Sequence, residues 1–231
     1  MTTKKDETQE EDKSRDLIIF PDLGQEPKTR VLGMYGEVNE EHCKNIVSGL
    51  YYFRDTAEVE EEVEDKVEEE VEEEAEEEAE EEAEDKEPEI KTSYLPIDFI
   101  VSTEGGSVTD MFAVYDCMRD VRNTCDINTF GVGKVMSAGI LLLAGGTQGK
   151  RRVGKHCRLM LHAVSGGHFG SLKELEIDIR EVRWYQTQFA KALASETKLN
   201  EKEIKAIFRK KTDTYFDAEQ AVEWGIADEV V

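Results

Sequence analysis

Apolar runs and amphipathic stretches alternate along most of the chain, and their spacing predicts a regular succession of strands and helices. Ile18-Ile19-Phe20 and Val31 to Tyr35 read as short buried strands, separated by a connection containing Pro and Gly. From Val38 to about Phe53, the residues Cys43, Ile46, Val47, Leu50 and Tyr51 recur at helical spacing, with Asn39 placed to cap the helix. Ile97 to Val101 is a buried-strand pattern that runs into Ser102-Thr103-Glu104-Gly105-Gly106. Val108, Met111, Phe112, Tyr115 and Met118 mark the next helix, and Asp126 to Val132 reads as a strand ending at Gly133. Ser137 opens a short apolar helix, Ala138 to Ala144, closed by Gly145-Gly146. Cys157 to Leu161 is a strand ending at His162. Leu172, Leu175, Ile179, Val182, Phe189 and Leu193 then share one face of a long helix. Asp217 to Gln220 has capping-box spacing before a short helix that Gly225 ends. This alternation predicts an α/β fold with mostly parallel strands.

One segment breaks the pattern. Between Asp55 and Glu89, 23 acidic residues stand against two lysines, and Val59, Val63, Val67, Val71, Ala75, Ala79 and Ala83 repeat every four residues. Glu and Ala favour helix, but like charges four apart repel and a four-residue period drifts around a 3.6-residue helix. The expectation is a solvated, largely disordered insertion at neutral pH that gains helix when its glutamates are protonated. The expected organisation is therefore a disordered tail over 1–16, a folded domain over 17–54 and 90–231, and the acidic insertion over 55–89.

The tract also explains the composition. The 231 residues carry a net charge of −24, of which the tract holds −21, leaving −3 for the rest, as in an ordinary globular domain. No basic surface is available for whole-chain nucleic-acid binding. The longest apolar stretch, Ile140 to Ala144, is far shorter than the ~20 residues that span a bilayer, and Met1 to Asp16 shows no secretory signal. Cys43, Cys117, Cys125 and Cys157 form no CxxC pair, and the four histidines lack HExxH spacing. A cytoplasmic domain with free thiols, no metal, no membrane contact and no nucleic-acid partner is expected.

Three features fall at strand ends, where a parallel sheet offers a site. Gly105-Gly106 would let backbone N–H groups approach a ligand, Ser137 begins a helix whose dipole favours developing negative charge, and His162 ends a strand. Taken singly, such a glycine pair is also a turn, such a serine a helix cap, and such a histidine a core residue. Together they leave a serine hydrolase open without settling it.

The same residues carry a resemblance. Glu104-Gly105-Gly106-Ser107-Val108-Thr109 with Tyr115-Asp116 resembles the SPGGSVT…YD segment of the ClpP family, the proteolytic subunits of the ATP-dependent Clp protease. Gly133 to Gly139 resembles its GxxxSxG segment, and Leu142-Leu143-Ala144 with Gly149-Lys150-Arg151 its LLAAGxxGKR run. Arg158 to His162 matches RxMIH, and Thr212 to Ala218 with Glu219 to Asp228 resembles the family's RDxFxSAxEAxEYGLID ending. The resemblance covers 17–53 weakly and 97–231 strongly. It implies the ClpP/crotonase-like fold of repeated β-β-α units with a protruding handle helix around 171–196. It implies Ser137 as nucleophile, His162 as general base and acid, Asp213 as the carboxylate orienting the imidazole, and the N–H groups of Gly106 and Ala138 as the oxyanion hole. It implies a serine endopeptidase acting on unfolded polypeptides inside a homo-oligomer of stacked heptameric rings. No cofactor is implied in this subunit, ATP being used by a partner ATPase. Asp217, spaced as a helix cap, is the poorer candidate acid.

The chain also departs from the family pattern. Ala138 replaces methionine, Ala163-Val164 replaces Gln-Pro, and Glu104 replaces proline, which brings an acidic residue close to the site and is expected to disfavour acidic peptides. Asp98, Ile100 and Asp120 stand where the family's aromatic residues form a pocket for a loop of the ATPase; two carboxylates are costly to desolvate there, which leaves open a different partner or a subunit working in a mixed ring. Two other readings compete: an acyl-CoA hydratase or isomerase on the same fold, which needs no nucleophilic serine, and an inactive or specialised ring subunit whose acidic insertion binds partners.

Overall fold

The computed structural model describes residues 29–63, 89–167 and 169–231. The expected strand at 18–20, the tail and most of the acidic repeat lie outside them. All elements belong to one unit, Val31–Val231.

Strand β1 (Val31–Val38) buries Leu32, Met34 and Val38. Helix α1 (Glu40–Asp55) follows at once, because the Asn39 side chain accepts the His42 backbone N–H at 3.0 Å and acidic residues occupy the first turn. It buries Cys43, Ile46 and Leu50. The chain then forms β2 (Glu58–Val63), which pairs antiparallel with β3 (Glu89–Tyr94), Val63 standing opposite Glu89. The start of the acidic tract thus pairs with the segment that follows the tract, whereas the charge pattern predicts solvated chain from Asp55 onward.

Strand β4 (Ile97–Gly106) alternates with Ile97, Phe99, Val101 and Thr103 inward, and helix α2 (Val108–Val121) returns over that face with Met111, Val114, Tyr115 and Met118 buried. Strand β5 (Ile127–Met136) is longer than its pattern suggests. Opposite it, β4 advances from Val101 to Thr103 while β5 advances from Gly131 to Val135, so Gly133 lies in a bulge and does not end the strand. Beyond the bulge β5 changes partner. Its first part pairs with β6 (Arg152–Val153) and its last residues with β7 (Arg158–Leu161). Helix α3 (Ala138–Ala144) is buried on all sides, as an apolar helix under a sheet must be.

Helix α4 (Leu172–Glu196) opens with a capping box of Ser171 and Glu174. It buries Phe189, Ala190 and Leu193, whereas Leu172, Ile179 and Trp184 are exposed. Helix α5 (Glu201–Phe208), absent from the sequence reading, has its own capping box of Asn200 and Glu203 and buries Ile204, Ile207 and Phe208. Strand β8 (Thr214–Phe216) runs antiparallel to β7, helix α6 (Ala218–Glu223) is capped by Asp217, and β9 (Glu229–Val230) pairs with β6. The main sheet has the order β1-β4-β5-β6-β9 with β7 and β8 branching from β5, and all its pairings except β7–β8 are parallel. This is the mostly parallel α/β architecture that the alternation predicts.

An ionic cluster in which Glu196 and Arg151 are buried and Arg122 and Asp228 half-buried ties helix and strand ends together. Arg122 donates to both Glu196 carboxylate oxygens, at 2.9 and 3.1 Å, and the Tyr115 hydroxyl donates to Oε1 at 2.7 Å. Arg151 donates to both oxygens of Asp228, at 2.9 and 2.6 Å, and to the backbone carbonyls of Glu196 and Ala144. Burial opposes the charge on Glu196, but the Arg122 and Tyr115 hydrogen bonds outweigh it and hold the carboxyl below its ordinary value. Asp228 is likewise held low by Arg151 against the effect of burial. Burial and the bond to Glu196 push the Tyr115 phenol up to about 12.

Candidate active site

Ser137 sits where β5 ends and α3 begins. Its N–H donates to the Met160 carbonyl at 2.8 Å, which extends the β5–β7 pairing by one residue. Its backbone then turns sharply to φ 53°, the one positive value at a non-glycine residue among those described. The side chain makes no cap bond to α3. It meets the imidazole instead: Ser137 Oγ and His162 Nε2 are 2.8 Å apart. With the ring proton on Nδ1, Nε2 accepts from the hydroxyl, the arrangement a general base requires.

The antiparallel register of β7 and β8 sets Leu161 opposite Thr214, so the next residues, His162 and Asp213, face one another. Asp213 Oδ1 is 3.8 Å from His162 Nδ1, beyond hydrogen-bond distance, and the two side chains are 48% and 28% exposed. The three groups therefore lie in one row with one closed link and one open one. Asp217 is engaged elsewhere, accepting the Gln220 N–H at 2.9 Å.

Gly105 and Gly106 complete the setting. A Cβ on Gly105 would lie 2.6 Å from Ser137 Cβ, and one on Gly106 would lie 2.3 Å from the Val38 carbonyl oxygen. Both residues also have positive φ, 99° and 152°. The Gly105 N–H donates to Thr103 Oγ1 at 2.9 Å, which leaves the Gly106 N–H as the candidate donor of the pair. Thr103, which donates in turn to the Gly36 carbonyl, is a supporting residue that sequence reading missed. Its signal was a polar residue in phase with Ile97, Phe99 and Val101.

Residues 38–231 match the Clp protease family. The chain belongs to that family. Among curated proteins it is similar to the ATP-dependent Clp protease proteolytic subunit 2 of Corynebacterium efficiens, 36% identical over 135 residues, covering 58% of this chain and 66% of the relative. The proteins of the same name from Chlamydia pneumoniae and Corynebacterium diphtheriae are 33% and 36% identical over 135 residues, 58% of this chain and 64% and 66% of their own lengths. The match thus spans just under two thirds of these relatives.

Against this family's pattern, the acidic substitutions look different in place than in sequence. Glu104 is not an unbalanced charge: Lys134 Nζ lies 2.6 Å from its carboxylate and holds the carboxyl below the usual range. Asp98 accepts from Asn128 Nδ2 at 3.0 Å, and Asp120 is paired with Arg54 at 3.1 Å. Ile100 is half-buried, two residues beyond Asp98 on the same strand. Cys43, Cys125 and Cys157 are buried, Cys117 is half-buried and none of the four is in a disulfide; burial pushes the Cys43 and Cys157 thiols up to about 11. Among the described residues no group of three or more His, Cys, Asp or Glu could hold a metal ion, and no helix is long and apolar enough to cross a membrane.

Proposed function

We propose that this chain is a serine endopeptidase that hydrolyses peptide bonds in unfolded polypeptides. The observation that carries the reading is the 2.8 Å contact between Ser137 Oγ and His162 Nε2 at a strained strand-to-helix turn. In the reaction Oγ attacks the substrate carbonyl carbon while Nε2 takes the hydroxyl proton. The negative charge that develops on the carbonyl oxygen is stabilised by the N–H groups of Gly106 and Ala138, each donor being worth ~3 kcal/mol. The imidazolium, oriented by Asp213, gives its proton to the departing amine. Water, deprotonated by His162, then attacks the acyl-serine ester; the ester C–O bond breaks, the imidazolium returns its proton to Ser137 Oγ, and the acid is released. Closure of the 3.8 Å gap between Asp213 and His162 is a small adjustment of an exposed carboxylate, and such links often tighten only with substrate bound.

The working form we propose is a homo-oligomer of stacked heptameric rings, fed by an ATP-dependent unfoldase that supplies the only nucleotide chemistry. Its support is the first half of α4, whose Leu172, Ile179 and Trp184 are 75%, 50% and 54% exposed and would be covered in an assembly. Light scattering on the full chain tests this; a monomer at micromolar concentration refutes it. A second reading, an inactive or specialised ring subunit, draws on the open Asp213 link. A fluorophosphonate decides between them. Adduct formation on Ser137, lost in Ser137→Ala and His162→Ala, is the result expected of a peptidase, and an assembled oligomer that stays unlabelled is the result expected of a scaffold.

A further inference from the structure

On α4, Asp178, Glu181, Val182 and Tyr185 fall at helical spacings of three, four and seven and share one face. That face lines a cavity of about 220 Å³. The rest of the wall includes Val108, at the start of α2, and Val164 in the segment after His162. Val108 lies two residues beyond Gly106 and Val164 two beyond His162, so the cavity adjoins the reacting groups along both segments. It is smaller than the ~300–1,000 Å³ of a small-molecule pocket, a size for a single side chain. Its wall combines the apolar surface of Val108, Val164, Val182 and Tyr185 with a half-buried and an exposed carboxylate, Asp178 and Glu181.

We propose, resting on the peptidase reading above, that this cavity selects a lysine or arginine at the substrate residue whose carbonyl is attacked. The methylene stem of such a side chain lies along valine and tyrosine surface while its cationic head reaches the carboxylates. A glutamate there meets like charge, and a neutral aliphatic chain covers carboxylate without compensating it. The carbonyl oxygen of that residue sits at the Gly106 N–H, so its side chain is the one nearest the Val108 and Val164 wall. Asp178 also makes an interaction within the chain, so Glu181 is the residue to vary.

The test uses the full chain and diphenyl phosphonate probes with a lysine-like, norleucine-like or glutamate-like side chain beside phosphorus. The rate of Ser137 adduct formation is read by mass spectrometry, with a simple fluorophosphonate as reference. The lysine-like probe is expected to react about fivefold faster than the norleucine-like one, the scale of a partly exposed ion pair. That ratio falls to about one in Glu181→Gln, and Glu181→Lys favours the glutamate-like probe. In the unmodified chain the ratio also shrinks toward one at about 1 M salt, where the Debye length is near 3 Å, a readout independent of how the variants fold. Ser137 labelling by the fluorophosphonate with no advantage for the cationic probe overturns the pocket and leaves the peptidase standing. No labelling of Ser137 by any probe overturns both.

Discussion

Two polar clusters in this protein use similar side chains to opposite ends. The Arg122–Glu196 and Arg151–Asp228 pairs, with Tyr115, are knotted so that both carboxylates take both of their oxygens into bonds and Arg151 also reaches two carbonyls. Ser137, His162 and Asp213 share one short contact and one 3.8 Å gap, and they stand partly in solvent. A group with all its partners in place has nothing left to exchange, so the knot holds helix and strand ends in position. A group with partners to spare can take or release a proton, and the serine–histidine pair is built that way. The difference lies in satisfaction of hydrogen bonds, not in residue type.

Variants at the two clusters should separate these roles. Ser137→Ala is expected to remove peptidase activity by about a million-fold, the scale for losing a triad nucleophile, with the thermal melt essentially unchanged. Asp213→Asn should cost about ten-thousand-fold in kcat through the wrong histidine tautomer, again without a stability change; peptide hydrolysis and calorimetry on the same samples check both. The knot should behave in reverse. Arg151→Ala takes the guanidinium from the half-buried Asp228, which keeps only the Gly149 and Arg151 backbone N–H donors, and from two carbonyls, and is expected to lower unfolding free energy by ~3 kcal/mol in urea titrations. A loss under about 1 kcal/mol would break the contrast. Tyr115→Phe removes one bond to a buried carboxylate and should cost about 2 kcal/mol, leaving Arg122 in place.

The mildest probe is acid. Glu196 and Asp228 are held below their ordinary values of 4.5 and 3.8, so the unfolded chain binds more protons than the fold as pH drops. Their contribution is therefore complete above about pH 4.5 and is lost as pH falls through the folded values. Melting temperature should be flat down to that point and then decline, with a shallower decline in Glu196→Gln. An equal decline in the variant would show that Glu196 is not among the groups responsible.

Much of this architecture was readable because local patterns agreed with tertiary need. Asn39 caps α1 as its position predicts, and α3 is apolar on every side because it is buried on every side. His162 stands just past β7 because the apolar run stops there. The candidate acid was legible only through the family resemblance, since its position depends on the β7–β8 register. Other features escaped for nameable reasons. A glycine inside a bulge looks the same in sequence as a glycine ending a strand, which is why β5 was read short at Gly133. Helix α5 escapes a pattern reading although Asn200 and Glu203 spell its cap, because its apolar face is only the three residues Ile204, Ile207 and Phe208. The ionic knot joins residues 74 and 77 positions apart, and no local pattern reports such a pairing. Lys134, which neutralises Glu104, was hidden in the same way.

The β2–β3 ladder has a consequence for how this chain can vary. Because Val63 faces Glu89 across the pair, the exit and the return of residues 64–88 lie about one interstrand spacing apart, roughly 5 Å. A two-residue hairpin turn could join them as readily as the present stretch, and each doubling of the length between them costs only ~0.6 kcal/mol in closure entropy. The two strand ends thus form a fixed socket: whatever joins them can be trimmed, lengthened or exchanged for a tag while the rest of the domain keeps its shape.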